Sequence, residues 1–249
     1  MFQSIFVRKS QGTQFIPDPR QAKPPGFRGK PVIDAAACAP DCQRCVAVCP
    51  SNAITLNPVQ IDMGRCVLCG DCEPVCPGHK LSFSADFKLA STRRDGLTVS
   101  SARPDIDPIK VSAALHKRYG RSLKLRSVSA GGCNGCEMEI NALGNVNFDL
   151  GRYGIDIVAS PRHADALVLS GPISRNMADA LQICWDAMPD PKILIAVGAC
   201  AISGGVFADS EALDRSFLNG VTPALYVPGC PAHPLTFISG ILDLLGIPS

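Results

Sequence analysis

The chain has 249 residues, 46% hydrophobic and 18% charged, and a formal net charge of +2. That length allows two domains, one of them large enough for a full core. It offers no bilayer-spanning helix, because the most apolar stretch, residues 235–247, falls short of about 20 residues and contains Asp243. Residues 1–130 hold 19 Lys and Arg against 10 Asp and Glu, and the remainder holds 5 against 12. The basic charges are scattered without an aromatic platform, which argues against nucleic acid and for an acidic protein partner or the thiolate sites themselves.

Thirteen cysteines raise the question of a disulfide framework. The opening MFQSIFVRKS has no apolar signal stretch and no small-residue cleavage site. The mid-chain pair Arg93-Arg94 is followed by no long apolar run. Reduced, metal-binding cysteines in the cytoplasm are therefore expected. Residues 1–30, rich in Pro and Gly, are predicted to form an extended arm on a partner or on the second domain.

Residues 31–89 contain an internal repeat. Val32-Ile33-Asp34 before Cys38 is echoed by Gln60-Ile61-Asp62 before Cys66. The two cysteine runs are Cys38-x3-Cys42-x2-Cys45-x3-Cys49-Pro50 and Cys66-x2-Cys69-x2-Cys72-x3-Cys76-Pro77. Such spacing wraps three thiolates around one cubane cluster while the fourth, before proline, reaches across to the other. The expected sets are Cys38, Cys42, Cys45 with Cys76, and Cys66, Cys69, Cys72 with Cys49. Each copy is predicted as short strand, cysteine loop, short helix and strand, the last strands being residues 53–56 and 81–83. Together they form an α+β ferredoxin-like two-cluster domain that needs its metal to fold.

Residues 90–122 are predicted as a linker with one helix, from Pro108 to Tyr119, ended by Gly120. From residue 123 to 249, apolar runs alternate with helical stretches, the pattern of a parallel-sheet α/β domain. Strands are predicted at residues 123–128, 155–159, 166–169, 192–197 and 224–227, and helices at 134–148, 175–188 and 233–245. Three strands run into cysteine loops: Gly131-Gly132-Cys133-Asn134-Gly135-Cys136, Gly198-Ala199-Cys200 and Pro228-Gly229-Cys230-Pro231. Ligands in such sheets sit beyond the carboxyl ends of the strands. Cys133, Cys136, Cys200 and Cys230 are thus expected to hold a third four-thiolate cluster. Zinc would accept the same thiolates, but electron-transfer loops on the same chain favour iron and sulfide. Three [4Fe-4S] clusters use twelve cysteines, and Cys184, in an apolar helix segment, is assigned to the core.

Glu137 and Glu139 follow the third site's CxxC, where acidic side chains suit a helix N-terminus. Glu139 is also a candidate proton relay near the cluster. His233 is read as a helix cap, with a bond to a cluster sulfide as the alternative. His79, His116 and His163 have no ligand-like neighbours.

The stretch Gly132-Cys133-Asn134-Gly135-Cys136-Glu137-Met138-Glu139, with Gly198-Ala199-Cys200 and Pro228-Gly229-Cys230-Pro231, resembles the small subunit of energy-converting [NiFe]-hydrogenases of the formate-hydrogenlyase type. It also resembles the related B (20 kDa) subunit of complex I. Residues 24–85, from Pro24-Pro25-Gly26-Phe27-Arg28-Gly29-Lys30-Pro31 through both cysteine runs, resemble the two-cluster ferredoxin subunit of the same complexes, so the chain looks like a fusion of the two. Gly135 stands where the complex I subunit has the first of two adjacent cysteines, which is the hydrogenase arrangement. The resemblance implies a flavodoxin-like second domain and a separate large subunit carrying the nickel–iron site, or the complex I 49 kDa counterpart. It further implies membrane subunits, an electron donor or acceptor protein, and a place at the cytoplasmic face of the inner membrane. The implied function is electron transfer within an oxidoreductase complex, with no complete active site in this chain. The alternatives are a complex I-like subunit delivering electrons to quinone and a free-standing ferredoxin or redox sensor.

Overall fold

A computed structural model describes residues 2–36, 38–39 and 41–248. The cysteine repeat is carried on strands of two or three residues. These are β1 (Pro31–Ile33), β2 (Ile54–Thr55), β3 (Gln60–Asp62) and β4 (Leu81–Phe83), with one short helix between β1 and β2 at Arg44–Val48. β1 pairs antiparallel with β4, and β2 with β3. The first strand of each copy therefore meets the last strand of the other, which is the exchange that internal two-fold symmetry requires. The second copy lacks the helix its repeat predicts, and residues 71–75 are turns instead. In the first copy the Ala47 N–H donates to Gln43 O at 2.9 Å. The equivalent position in the second copy is Pro74, which has no N–H to donate.

Two flanking segments depart from the sequence-based expectation. Residues Phe2–Gln11 form a helix rather than extended arm, and residues 3–11 are all exposed. Beyond it, the Ile16 N–H donates to Asn147 O, while Arg20 pairs with Asp243 at 2.7 Å and donates to Ile247 O. This stretch thus lies on the carboxyl-terminal half. Segment 90–122 holds more than one helix. β5 (Thr98–Ser100) joins the edge of β3, antiparallel, as the third strand of a sheet ordered β2-β3-β5. The helix that follows spans Ala113–Tyr119 only, because the Ser112 side chain caps it by accepting the Leu115 N–H.

The remaining strands, β6 (Leu123–Ser129), β7 (Ile155–Ile157), β8 (Ala166–Ser170), β9 (Ile193–Val197) and β10 (Leu225–Val227), are all parallel. Their order, β10-β9-β8-β6-β7, is the flavodoxin-like 2-1-3-4-5 order counted from β6. All five residues of β8 are buried, as expected for a central strand covered on both faces. One face packs on the helix Pro234–Leu245, in which every residue but Asp243 is buried. The apolar stretch near the C-terminus is therefore core. The other face packs on the helix Arg175–Asp186 and on Leu97 and Val99 beside the cysteine repeat, so both halves share one core. Among the described residues no helix is long and apolar enough to cross a membrane.

The helix after β6 covers Gly135–Ala142 and stops short of the predicted Phe148. The Asn145 side chain accepts the Asn147 and Phe148 N–H groups and turns the chain there. Two short helices escape the sequence pattern, Gly198–Ser203 and Phe217–Gly220.

Candidate metal centres

In the cysteine repeat, local turns aim the sulfurs and backbone amides face them. The Ala53 N–H donates to Cys49 Sγ at 3.3 Å, Leu68 to Cys66 Sγ at 3.4 Å, and Lys80 to Cys76 Sγ at 3.3 Å. Burial raises the Cys45 thiol above its ordinary value, and Cys38 and Cys76 add to the shift. Burial also pushes Cys66 up to about 12 and Cys72 up to about 11, with Cys49 and Cys69 adding to both. Sulfurs from both copies therefore act on Cys45, Cys66 and Cys72. Cys49, Cys66, Cys69 and Cys72 line one small cavity with Ile54, Ile61 and Phe83.

The third group forms beyond the carboxyl ends of the parallel strands, Cys133 and Cys136 following β6, Cys200 following β9 and Cys230 following β10. Asn134, at φ +71°, turns the chain into the helix that begins at Gly135. Cys200 sits in the first turn of the helix Gly198–Ser203 rather than in a loop. Gly198 has φ +85°, and a Cβ there would stand 2.5 Å from Cys136 Sγ. This glycine is needed both for its backbone conformation and for room beside the sulfur. Burial pushes the Cys136 thiol up to about 12, the Ala232 N–H opposing, with Glu137, Cys200 and Cys230 adding. Burial likewise pushes Cys200 up to about 11, with Cys230 and Cys133 contributing. Cys133 and Cys230 are exposed.

These donor sets fit thiolate-ligated iron. Backbone N–H groups supply the sulfur hydrogen bonds that clusters use, and binding a metal is what takes the protons from thiols raised so far by burial. Among the described residues no three His, Cys, Asp or Glu side chains gather closely enough to hold one ion. A cubane makes no such demand, since each thiolate takes a separate iron.

Glu137 is bound into the fold. Its carboxylate accepts Ser170 Oγ–H at 2.7 Å. Desolvation opposes ionisation there, but hydrogen bonds from Ser129 and Ser170 outweigh it and hold the carboxyl below its ordinary value. Glu139 is half-buried, and burial raises its carboxyl. His233 Nδ1 accepts the Leu235 N–H at 3.1 Å as a helix cap, its ring edge-on to Phe27. Cys184 is half-buried and packs against the shared core. Three arginines escaped the sequence reading. Arg28 donates to Leu68 O and Cys69 O, Arg94 forms a two-pronged pair with Asp62, and Arg215 donates to Cys200 O and Ala201 O. Most of their acceptors are carbonyls, which leave no trace in a sequence pattern.

Two family models match, the 4Fe-4S dicluster domain over residues 37–80 and the NADH ubiquinone oxidoreductase 20 kDa subunit over residues 133–244. A probable membrane-bound hydrogenase subunit, mbhJ, of Pyrococcus furiosus is 36% identical over 146 residues, covering 59% of this chain and 86% of the relative. The chain belongs to the 20 kDa subunit family. Within it, formate hydrogenlyase subunit 7 of Escherichia coli is 42% identical over 55% of this chain, which spans 54% of that relative's length. The B-type subunit of NADH-quinone oxidoreductase from Bacteroides thetaiotaomicron is 42% identical over 51% of this chain and 64% of the relative. The two matching models thus describe a 4Fe-4S dicluster domain and an oxidoreductase subunit.

Proposed function

We propose that the chain is the electron-transfer subunit of a membrane-associated [NiFe]-hydrogenase of the formate-hydrogenlyase kind, carrying three [4Fe-4S] clusters. When bound, such clusters supply one-electron transfer. Cys38, Cys42, Cys45 and Cys76 would hold the first, Cys66, Cys69, Cys72 and Cys49 the second, and Cys133, Cys136, Cys200 and Cys230 the third. The observation that carries this reading is the contact between the second and third groups. Gly64, two residues before Cys66, lies against Ile202, two residues after Cys200, and a Cβ on Gly64 would stand 2.8 Å from it. The two groups therefore adjoin through packed protein rather than solvent. The exposed Cys133 and Cys230, with Met138 65% exposed beside them, leave the third group open to a large subunit. In this reading that subunit holds nickel and iron, and the assembly sits at the cytoplasmic face of the membrane.

The likeness to the B-type subunit of NADH-quinone oxidoreductase favours a second reading, delivery of electrons to quinone by a partner without nickel. Iron and acid-labile sulfide analysis with low-temperature EPR of the reduced chain tests the three clusters, with about twelve of each atom expected. Cys133→Ser should remove only one of the three signals. Nickel content and hydrogen uptake of the purified complex separate the two readings, since nickel absent with quinone reductase activity present overturns the first.

A further inference from the structure

Arg215 reaches into the third cysteine group from the turn before the helix Phe217–Gly220. Its Nη1 donates to Pro172 O and Cys200 O, both at 2.9 Å, and its Nη2 donates to Ala201 O at 2.8 Å. Two of these carbonyls belong to the short helix Gly198–Ser203, whose negative end a cation suits. Arg215 is only partly exposed, and among the described residues no carboxylate pairs with it. Another cation, Arg94, also acts on it from the segment that follows the cysteine repeat, and Arg94 is occupied by Asp62 at 2.7 and 2.6 Å. The adjacent Asp214 instead accepts the Ser216 N–H. The carbonyl that Nη1 holds belongs to Cys200 itself, so the guanidinium is fixed on the residue that carries one of the third group's sulfurs.

We propose that Arg215 is a positioning residue of the third cysteine group, clamping the Cys200 turn and fixing a positive charge toward its sulfurs. The inference rests on the reading that this group holds a cluster. A one-electron reduction adds one negative charge among the four sulfurs, and a fixed cation beside Cys200 stabilises that charge. Arg215 therefore sets the third potential higher than the same four cysteines would give alone, without touching the first two groups.

The test is an EPR-monitored redox titration of the full chain, isolated anaerobically with its clusters, comparing the unaltered protein with Arg215→Met and Arg215→Lys. Arg215→Met is expected to make reduction of the third cluster harder by roughly tenfold, about 59 mV for one electron, with the other two potentials unmoved. Arg215→Lys should recover most of that shift. An unmoved third potential in Arg215→Met overturns the proposal. So does loss of the third signal in both variants alike, which would make the residue a structural clamp only. Cys200→Ser serves as the control for the underlying reading. If the unaltered chain shows no third signal, or if Cys200→Ser leaves it intact, the cluster assignment itself has failed.

Discussion

At the residue scale, the third group is built by exclusion as much as by ligation. Gly198 is held at φ +85° with the Cys136 sulfur where its side chain would be. Gly171, at φ +82°, similarly approaches the Gly132 amide, and a Cβ there would stand 2.7 Å from the nitrogen. Forcing a left-handed conformation on alanine costs about 1–2 kcal/mol, and the displaced sulfur adds to that cost. Gly198→Ala is therefore expected to lose the third cluster from most molecules while the two clusters of the repeat remain. Iron analysis should fall by about a third, and the third EPR signal should fade alone. Retention of all the iron would mean that the Cys136 turn adapts. Ser170 acts instead through a hydrogen bond to a carboxylate. Removing it as Ser170→Ala should lower stability by about 1.5–3 kcal/mol, read as a lower unfolding midpoint at neutral pH. The cysteine runs stand out in the sequence because their spacing carries chemistry. The arginines do not, because a carbonyl acceptor can belong to any residue.

At the scale of elements, the apolar runs and strand-end loops of residues 123–249 announced the sheet, since buried parallel strands read as unbroken apolar segments. The cysteine repeat announced the short strands that flank each cysteine run. What stayed hidden was β5. Its three residues, Thr98–Ser100, carry no alternation long enough to register, and only pairing with β3 makes them a strand. The helix Gly198–Ser203 was hidden for the same reason, being too short to show a period. Yet the segment leading into β5 joins the two halves. Leu97 is fully buried in the shared core, and the Met63 N–H donates to its carbonyl at 3.0 Å. Leu97→Ala should cost about 2–5 kcal/mol. For a chain of this length that lowers the melting temperature by roughly 2–4 °C per kcal/mol. A change below 1 °C would mean that the halves do not depend on this contact.

At the scale of the whole molecule, the two halves are stabilised by different means. The parallel sheet has a core face of its own, lined by Leu123, Leu125, Val168, Ile195, Phe237 and Ile241, to which no described residue of the cysteine repeat contributes. The repeat has strands of two or three residues and a small set of buried apolar side chains, among them Ile54, Ile61, Met63 and Leu81. A unit that small needs metal binding to supply its folding energy. Removing iron by oxidation and chelation should therefore unfold the repeat and spare the sheet, although the two share contacts around Leu97. Hydrogen exchange followed by mass spectrometry resolves this directly. Amides of β1 to β4 are expected to exchange about a hundredfold faster or more after chelation, while β6, β8, β9 and the helix Pro234–Leu245 keep most of their protection. Simultaneous loss of protection in both halves would instead make the shared core the dominant link. The fusion would then be one cooperative unit whose sheet also depends on the metal held by the repeat.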